Sequence, residues 1–211
     1  MVRFSSFIMN PSLSLRTRRI TAAVLFGIAA LQAIPLVFAI RGIDRVFSYP
    51  QSPLTILAVF VIAGLYVAYS ARHPGIRQHL GHISWLRVPA VMVAVTASIV
   101  EEFYFRHVLM DGLDRSGVAI VWQVLVSAFA FGLFHAMWGV WGGWPVVRGA
   151  ITATTGLGIA LALLYLLSGR HLVAPIEAHF LVDLLLEPAL VIFAIEAGAH
   201  KQQAGASVET L

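Results

Sequence analysis

Uncharged apolar segments long enough to cross a bilayer constrain this chain more than any other feature of its sequence. A helix crosses a hydrocarbon core about 30 Å thick with about 20 predominantly apolar residues. Six such segments occur, at 20–40, 54–71, from 88 onwards, at 118–137, at 149–168 and at 172–195. Lipid offers no partner to backbone groups, and these segments are too long for barrel strands. The sequence therefore predicts an all-α, polytopic membrane helical bundle of about six transmembrane helices.

The first segment has a second interpretation, as a cleaved signal peptide, because Arg16, Arg18 and Arg19 precede it. Its 21 residues exceed a signal peptide's apolar region of about 7–15 residues, and no clear A-x-A-like exit follows. An uncleaved first span is therefore the favoured interpretation.

Composition excludes most soluble classes of protein. Hydrophobic residues make up 59% of the chain and charged residues 11%, against about 45–50% and about 25% in soluble domains. The absence of cysteine excludes a disulfide scaffold and a cysteine nucleophile. The net charge of +4 suggests basic loops beside anionic lipid, and we expect membrane lipids rather than nucleic acid as partners.

The basic residues also predict an orientation. With the N-terminus inside, nine Lys and Arg residues fall on the inner side and four on the outer side, which favours N-in and C-in. We expect a single membrane domain over 1–211, with mobile tails at 1–15 and 198–211.

Ionisable residues inside the predicted spans are the candidates for function, because each costs about 2.5–3.5 kcal/mol to insert. Glu102 and Arg106 are i,i+4 neighbours on a helix and can pair, which is a purely structural role. Glu101 points about 100° away and has no partner on its own helix. Glu101 is therefore the better candidate for a general base.

Two further groups lie on later spans. His135 ends the run Phe131-Gly132-Leu133-Phe134-His135, and His179, Asp183 and Glu187 form an i, i+4, i+8 stripe that should face the bundle interior. Taken singly, His135 could be an interfacial residue, and a His179–Asp183 hydrogen bond could lock a helix crossing. Taken together, these groups make a water-activating site plausible, although helix counting puts His135 nearer the inner face than the others.

A fourth cluster lies in a predicted loop, where His73, His79 and His82 occur close together. Their spacing matches no established metal site. A solvated loop is therefore the prediction for these three histidines.

The order of the motifs resembles a known family. E-E-x-x-x-R at 101–106, F-x-x-x-H at 131–135 and H-x-x-x-(N or D) at 179–183 occur in successive parts of the membrane domain. This order is similar to that of the CAAX-protease and bacteriocin-processing (CPBP) family of glutamate-type intramembrane endopeptidases. The resemblance covers roughly 88–195, which would be the catalytic core.

The resemblance implies hydrolysis of a peptide bond by a glutamate-activated water, without a cofactor. On that pattern Glu101 is the general base, His135 helps to hold the water, and Glu102 and Arg106 orient the site. His179 would stabilise the oxyanion together with Asp183. The implied substrates are membrane-associated peptides or proteins: prenylated C-a-a-X tails, pheromone or bacteriocin precursors, and C-terminal sorting anchors. The implied location is a bacterial cytoplasmic membrane, with the chain as an integral multi-pass protein.

Asp183 departs from the pattern, since this position is often Asn in the family. An ionised Asp cannot donate to an oxyanion, so we expect Asp183 to act by accepting from His179 and orienting it. Asp is also the better metal ligand, and a metal-dependent version would use Glu101, His135, His179 and Asp183.

Two other classes of function remain open at this point. The first is a non-catalytic membrane scaffold or immunity-type relative, against which the retained Glu, Arg and His residues argue. The second is an ion or proton pathway, for which buried Glu, His and Asp residues also qualify.

Overall fold

The computed structural model describes residues 13–41, 52–81 and 84–209, and helices dominate all three ranges. The helices are α1 (Leu15–Arg41), α2 (Pro53–Ser70), α3 (Pro74–Leu80), α4 (Arg87–Glu102), α5 (Asp111–Arg115), α6 (Ile120–Phe134), α7 (Gly139–Leu167), α8 (Val173–Leu186) and α9 (Ala189–Glu209). A π-helix (Phe103–Met110) joins α4 to α5, and a 3₁₀ turn (His135–Trp138) joins α6 to α7. These ranges contain no strand, which confirms the all-α prediction.

Five helical stretches are long and apolar enough to cross a membrane. They are Leu15–Ile40, Pro53–Ser70, Arg87–Arg115, Ile120–Trp138 and Gly142–Leu167. The pair Val173–Leu186 and Ala189–Ala199, bent by 51° at the break between them, brings the number to six if the pair is counted as one span. The predicted number of about six is confirmed, and the N-in, C-in orientation stays a prediction.

The third span is longer than a minimal crossing and runs without interruption through both glutamates. It covers 29 residues, from Arg87 to Arg115, because the π-helix and α5 continue the axis of α4. π-Helical segments often lie at functional sites, and this one begins directly after Glu102.

The sixth span departs from the sequence prediction in two places. Glu187 is extended (φ −82°, ψ 141°) because the following Pro188 disfavours helical backbone at the preceding residue. Glu187 therefore lies just beyond α8 and not within a helical stripe, although it still lines the same cavity as His179 and Asp183. The helix α9 continues to Glu209 through the segment from 198 that is predicted as a tail, and the mobility of this segment stays a prediction.

Arg87 fixes this break from the start of α4. Its Nη1 donates to the carbonyl oxygens of Leu184 (3.0 Å) and Glu187 (2.7 Å), and its Nη2 donates to that of Leu80 (2.7 Å). The last carbonyls of a helix lack intrahelical partners, and a cation suits that end of the dipole. One guanidinium thus ties α3, α4 and the end of α8 together.

A close approach of α6 and α7 brings the end of α6 into the bundle. A Cβ added at Gly158 would lie 3.0 Å from the Cα of Ala128 and 3.2 Å from its carbonyl oxygen. Any larger residue at 158 would push the two helices apart. This packing sets the position of the 3₁₀ turn that begins at His135.

The histidine loop differs from the prediction of a solvated segment. His79 lies on α3 with none of its surface exposed, and its Nε2 is 3.0 Å from Glu196 Oε2 on α9. His73 precedes α3, and its Nδ1 accepts from the backbone N–H of Gly75. His82 lies outside the described residues. The prediction is wrong for His79 because packing of α3 against α9 buries it.

A polar cluster ties the end of the third span to α7, and we call it the Asp111 cluster. Asp111 accepts from Tyr165 Oη at 2.9 and 3.0 Å and from Arg170 Nη1 at 2.8 Å, and His107 Nδ1 lies 3.0 Å from its other oxygen. Arg170 Nη2 also donates to Asp114 and Gln123. The cluster joins α5, α6 and the α7–α8 connection.

Removing one donor from this cluster should lower stability without altering the interior of the bundle. Tyr165→Phe deletes a hydrogen bond to a carboxylate from a fully buried ring, and we expect a loss of about 1–2 kcal/mol. Thermal unfolding in detergent measures it. Tyr69→Phe, at a ring that is 49% exposed, is the matched control. Equal melting temperatures for the two variants would contradict the assigned role.

Candidate active site

A buried line of polar groups links the third span to α8. Arg106 Nε donates to Glu102 Oε2 at 2.8 Å, as the i,i+4 spacing predicts, and both side chains are fully buried. The other oxygen of Glu102, Oε1, accepts from His179 Nδ1 at 2.9 Å. A single carboxylate is therefore bound by a cation from its own helix and an imidazole from α8.

Arg106 is held in place by α6. Its Nη1 donates to Ser127 Oγ at 2.6 Å, and that hydroxyl donates to the Phe105 carbonyl oxygen at 2.9 Å. Its guanidinium carbon lies 5.3 Å from the ring centroid of Phe131, within the range of a cation–π contact. Sequence reasoning missed Ser127, which gave no signal beyond being a hydroxyl in an apolar helix.

Phe131 separates the two histidines and contacts both. Its ring centroid lies 4.7 Å from that of His135 and 5.5 Å from that of His179, and no part of the residue is exposed. This position gives Phe131 a packing role between the two histidines.

His135 and Glu101 form the second half of the site. His135 Nδ1 donates to the Phe131 carbonyl oxygen at 2.8 Å, so in the neutral ring Nε2 is an acceptor. That Nε2 lies 3.9 Å from Glu101 Oε2, which is buried and has no hydrogen-bond partner. The two acceptor atoms face each other across a short gap.

The depth predicted for His135 is wrong, and the length of the third span explains the difference. Glu101 lies fourteen residues before the end of α5 at Arg115, and His135 lies fifteen residues after the start of α6 at Ile120. At about 1.5 Å per residue, both are roughly 21–23 Å from the same end of the bundle. When depth is counted only from the predicted start of the third span at 88, the equal depth of Glu101 and His135 is not visible.

Asp183 occupies a different position from the one expected. Its Oδ2 lies 3.5 Å from His179 Nε2, whereas Glu102 makes the shorter contact, to Nδ1. Glu102 is therefore the main orienting partner of His179. Asp183 faces His179 Nε2, the ring nitrogen that Glu102 does not bind.

Four of the six predicted site residues line one cavity, and the other two lie behind them. The cavity has a volume of about 1,320 Å³, and its wall includes Glu101, His135, His179 and Asp183. Most of its other lining residues are apolar. It exceeds the roughly 300–1,000 Å³ of a typical small-molecule pocket, so a peptide is the better fit in size. Glu102 and Arg106 act from behind the wall.

The same residues are poorly arranged for a metal ion. Within the described ranges, no three His, Cys, Asp or Glu side chains converge closely enough to bind one. His179 Nδ1 is bound to Glu102 and His135 Nδ1 to a carbonyl, so only the Nε2 atoms of the two rings remain as possible ligands. Among the described residues, the set proposed for a metal-dependent version does not converge into a site.

Sequence reasoning also missed a contact from α1. Gln32 Nε2 lies 3.4 Å from Glu101 Oε1, and Gln32 Oε1 accepts from Thr96 Oγ1 at 2.6 Å. A polar residue in the otherwise apolar segment 20–40 was the available signal.

A family model matches the part of the chain that holds this site. The family is described as type II CAAX prenyl endopeptidase Rce1-like, and the match covers residues 83–185. No curated protein and no solved structure matches the chain significantly. The matched segment includes all six predicted site residues and excludes Gln32. Over this segment the chain matches the CAAX-protease and bacteriocin-processing family that the three motifs indicate.

Proposed function

We propose that this chain is an intramembrane endopeptidase that hydrolyses a peptide bond with a water activated by Glu101. The observation that carries the proposal is the pair of acceptors Glu101 Oε2 and His135 Nε2, which lie 3.9 Å apart on two residues that line the cavity. A water oxygen about 2.8 Å from both atoms would subtend roughly 90° between them, close to the angle between its own hydrogens. Each acceptor then takes one hydrogen, and a lone pair of the water is left for attack.

The proton balance of the reaction follows from this arrangement. As the water oxygen bonds to the carbonyl carbon, Glu101 removes one of its protons as general base. The same carboxyl group then passes the proton to the leaving amine as the C–N bond breaks. The products are a carboxylic acid, which carries the second proton of the water, and an amine, and Glu101 returns to its initial carboxylate form.

His179 is the proposed donor to the oxyanion. Arg106 and Glu102 balance each other's charge, so a positive His179 is balanced by Asp183. The Nε2–H of that ring reaches the cavity and can donate to the carbonyl oxygen as negative charge develops there. Glu102 fixes the ring through Nδ1 and supports this role from behind.

The proposed substrate is a membrane-associated peptide, and a prenylated C-a-a-X tail is the first candidate, because the family description names a prenyl endopeptidase. The mostly apolar lining of the cavity supports a lipidated or apolar substrate. The proposed location is the bacterial cytoplasmic membrane, with both termini inside.

A proteolysis assay in lipid nanodiscs tests the function. The purified chain is incubated with a farnesylated C-a-a-X peptide, its unlipidated form and a precursor peptide, and products are measured by mass spectrometry. Cleavage by the parent that is lost in Glu101→Gln supports the proposal, and cleavage unchanged in Glu101→Gln and His179→Ala refutes it. Loss of activity with a chelator, restored by a divalent metal, would favour the metal-dependent version. Proton transport in the absence of peptide would favour an ion pathway. A chain that cleaves none of the peptides would favour a non-catalytic scaffold.

Asp183→Asn separates two roles of the carboxylate. If Asp183 balances the charge of His179, the variant loses activity, by about 10-fold or more, because a neutral amide does not stabilise the imidazolium. The kcat of the nanodisc assay measures this, with Asp114→Asn in the Asp111 cluster as the matched control. A variant that cleaves as fast as the parent would exclude an obligatory carboxylate at this position.

A further inference from the structure

We propose that Gln32, on α1 and outside the family segment, is a positioning residue that sets the orientation of the Glu101 carboxylate. The inference rests on the proposed function, since it assigns Gln32 a part in the same reaction. It extends the site to a helix that none of the three motifs includes.

The two oxygens of Glu101 have different surroundings. Oε1 faces Gln32 Nε2 at 3.4 Å, and Oε2 faces His135 Nε2 at 3.9 Å without a hydrogen-bond partner. Gln32 is 9% exposed and Glu101 7%, so water competes little for the contact between them. With Oε1 held by an N–H donor, Oε2 is the oxygen left for the reacting water.

Thr96 determines which end of the Gln32 amide points at Glu101. The Thr96 hydroxyl has one proton, and its contact with Gln32 Oε1 (2.6 Å) is shorter than those with the carbonyls of Met92 (3.0 Å) and Val93 (3.3 Å). If the amide oxygen takes that proton, the NH₂ group must face the carboxylate. The reversed amide would place oxygen against oxygen.

Thr96 and Glu101 both belong to α4, and Gln32 bridges them from α1. Gln32 thus contacts Thr96 through its amide oxygen and Glu101 through its amide nitrogen, and α4 fixes the separation of these two partners. Without Gln32, His135 at 3.9 Å is the polar neighbour that Glu101 keeps among the described residues. We expect substrate binding to survive this loss and the chemical step to suffer, because a base displaced by about 1 Å can cost about 10²-fold in rate.

The competing explanation is that Gln32 only joins α1 to α4. A structural joint would change stability and substrate binding, and Thr96 and Gln32 would then contribute independently. A positioning role predicts that Thr96 acts only through Gln32. Coupling between the two residues in kcat therefore separates the explanations.

The test measures kcat and KM in nanodiscs for Gln32→Leu, Thr96→Val, Thr96→Ser and the Gln32→Leu, Thr96→Val double variant. We expect kcat to fall about 10- to 100-fold in Gln32→Leu, with KM within threefold of the parent. The kcat of Thr96→Val should fall less than that of Gln32→Leu, and Thr96→Ser should keep the activity that Thr96→Val loses. The kcat of the double variant should match that of Gln32→Leu within twofold. Thr21→Val controls for changes in α1, because Thr21 is on the same helix and its buried hydroxyl has no hydrogen-bond partner among the described residues.

Independent, multiplying effects of Gln32→Leu and Thr96→Val would overturn the inference, as would a kcat of Gln32→Leu within twofold of the parent. Glu101→Gln distinguishes failure of the Gln32 inference from failure of the proposed function. If Glu101→Gln is inactive while Gln32→Leu is as active as the parent, the inference fails and the proposed function stands. If Gln32→Leu does not fold, the comparison of Thr96→Val with Thr96→Ser decides alone. Equal kcat in those two variants would overturn the positioning role.

Discussion

Glu101→Gln is expected to lower peptide-bond hydrolysis by about 10²- to 10⁴-fold, the usual contribution of a general base. The amide has nearly the same shape as the carboxyl group and keeps the position on the cavity wall. It does not take a proton from water at neutral pH. The variant should therefore bind peptide and remain folded while the chemical step fails.

The kinetics of the nanodisc assay measure this effect, with KM reported beside kcat. Glu196→Gln is the matched control, because Glu196 contacts His79 on α3 and is not among the described residues that line the cavity. Glu101→Asp adds a graded test, since the carboxylate is kept but withdrawn by one methylene. A Glu101→Gln variant that cleaves within threefold of the parent would exclude Glu101 as the base.

Arg106→Leu is expected to destabilise the protein by about 3–5 kcal/mol and to abolish activity. Arg106 and Glu102 are fully buried and paired at 2.8 Å, and removing one partner leaves an uncompensated buried charge. Ser127 Oγ loses its donor in the same variant. Thermal and denaturant unfolding in detergent measure the loss of stability.

The Glu102→Met, Arg106→Leu double variant distinguishes stability from catalysis. Replacing both charges by apolar residues of similar volume removes the uncompensated charge, and such replacements are often neutral for stability. We expect most of the lost stability to return. Activity should not return, because His179 Nδ1 then has no carboxylate to orient it. An active double variant, or an Arg106→Leu protein that unfolds at the parent's temperature, would contradict this account.

Interactions within one helix could be predicted from the sequence, and those between helices could not. The Glu102–Arg106 pair follows from i,i+4 spacing and is present. The Glu102–His179 contact depends on how α4 and α8 pack, and spacing alone favoured Asp183 as the partner of His179. The motif order predicted which residues share a site, but not which of them face the cavity.

Span boundaries limited the rest of the prediction. An apolar run in the sequence ends at the first charged residue, whereas the third span continues for 13 residues beyond Glu102, to Arg115. That continuation brings His135 level with Glu101. Gln32 escaped notice because a single amide in an apolar span resembles any tolerated polar residue, and only the packing of α1 on α4 gives it a partner.

The cavity has a consequence for the supply of the second reactant. Glu101 lies fourteen residues from each end of the third span, so the proposed hydrolysis would consume water at a depth where lipid provides none. The cavity extends from Glu101 to Arg72 and His73 at the corner between α2 and α3, outside the spans. At about 30 Å³ per molecule, its volume could hold tens of waters. In the proposed reaction, the space for the peptide would thus also be the route by which water reaches the middle of the membrane.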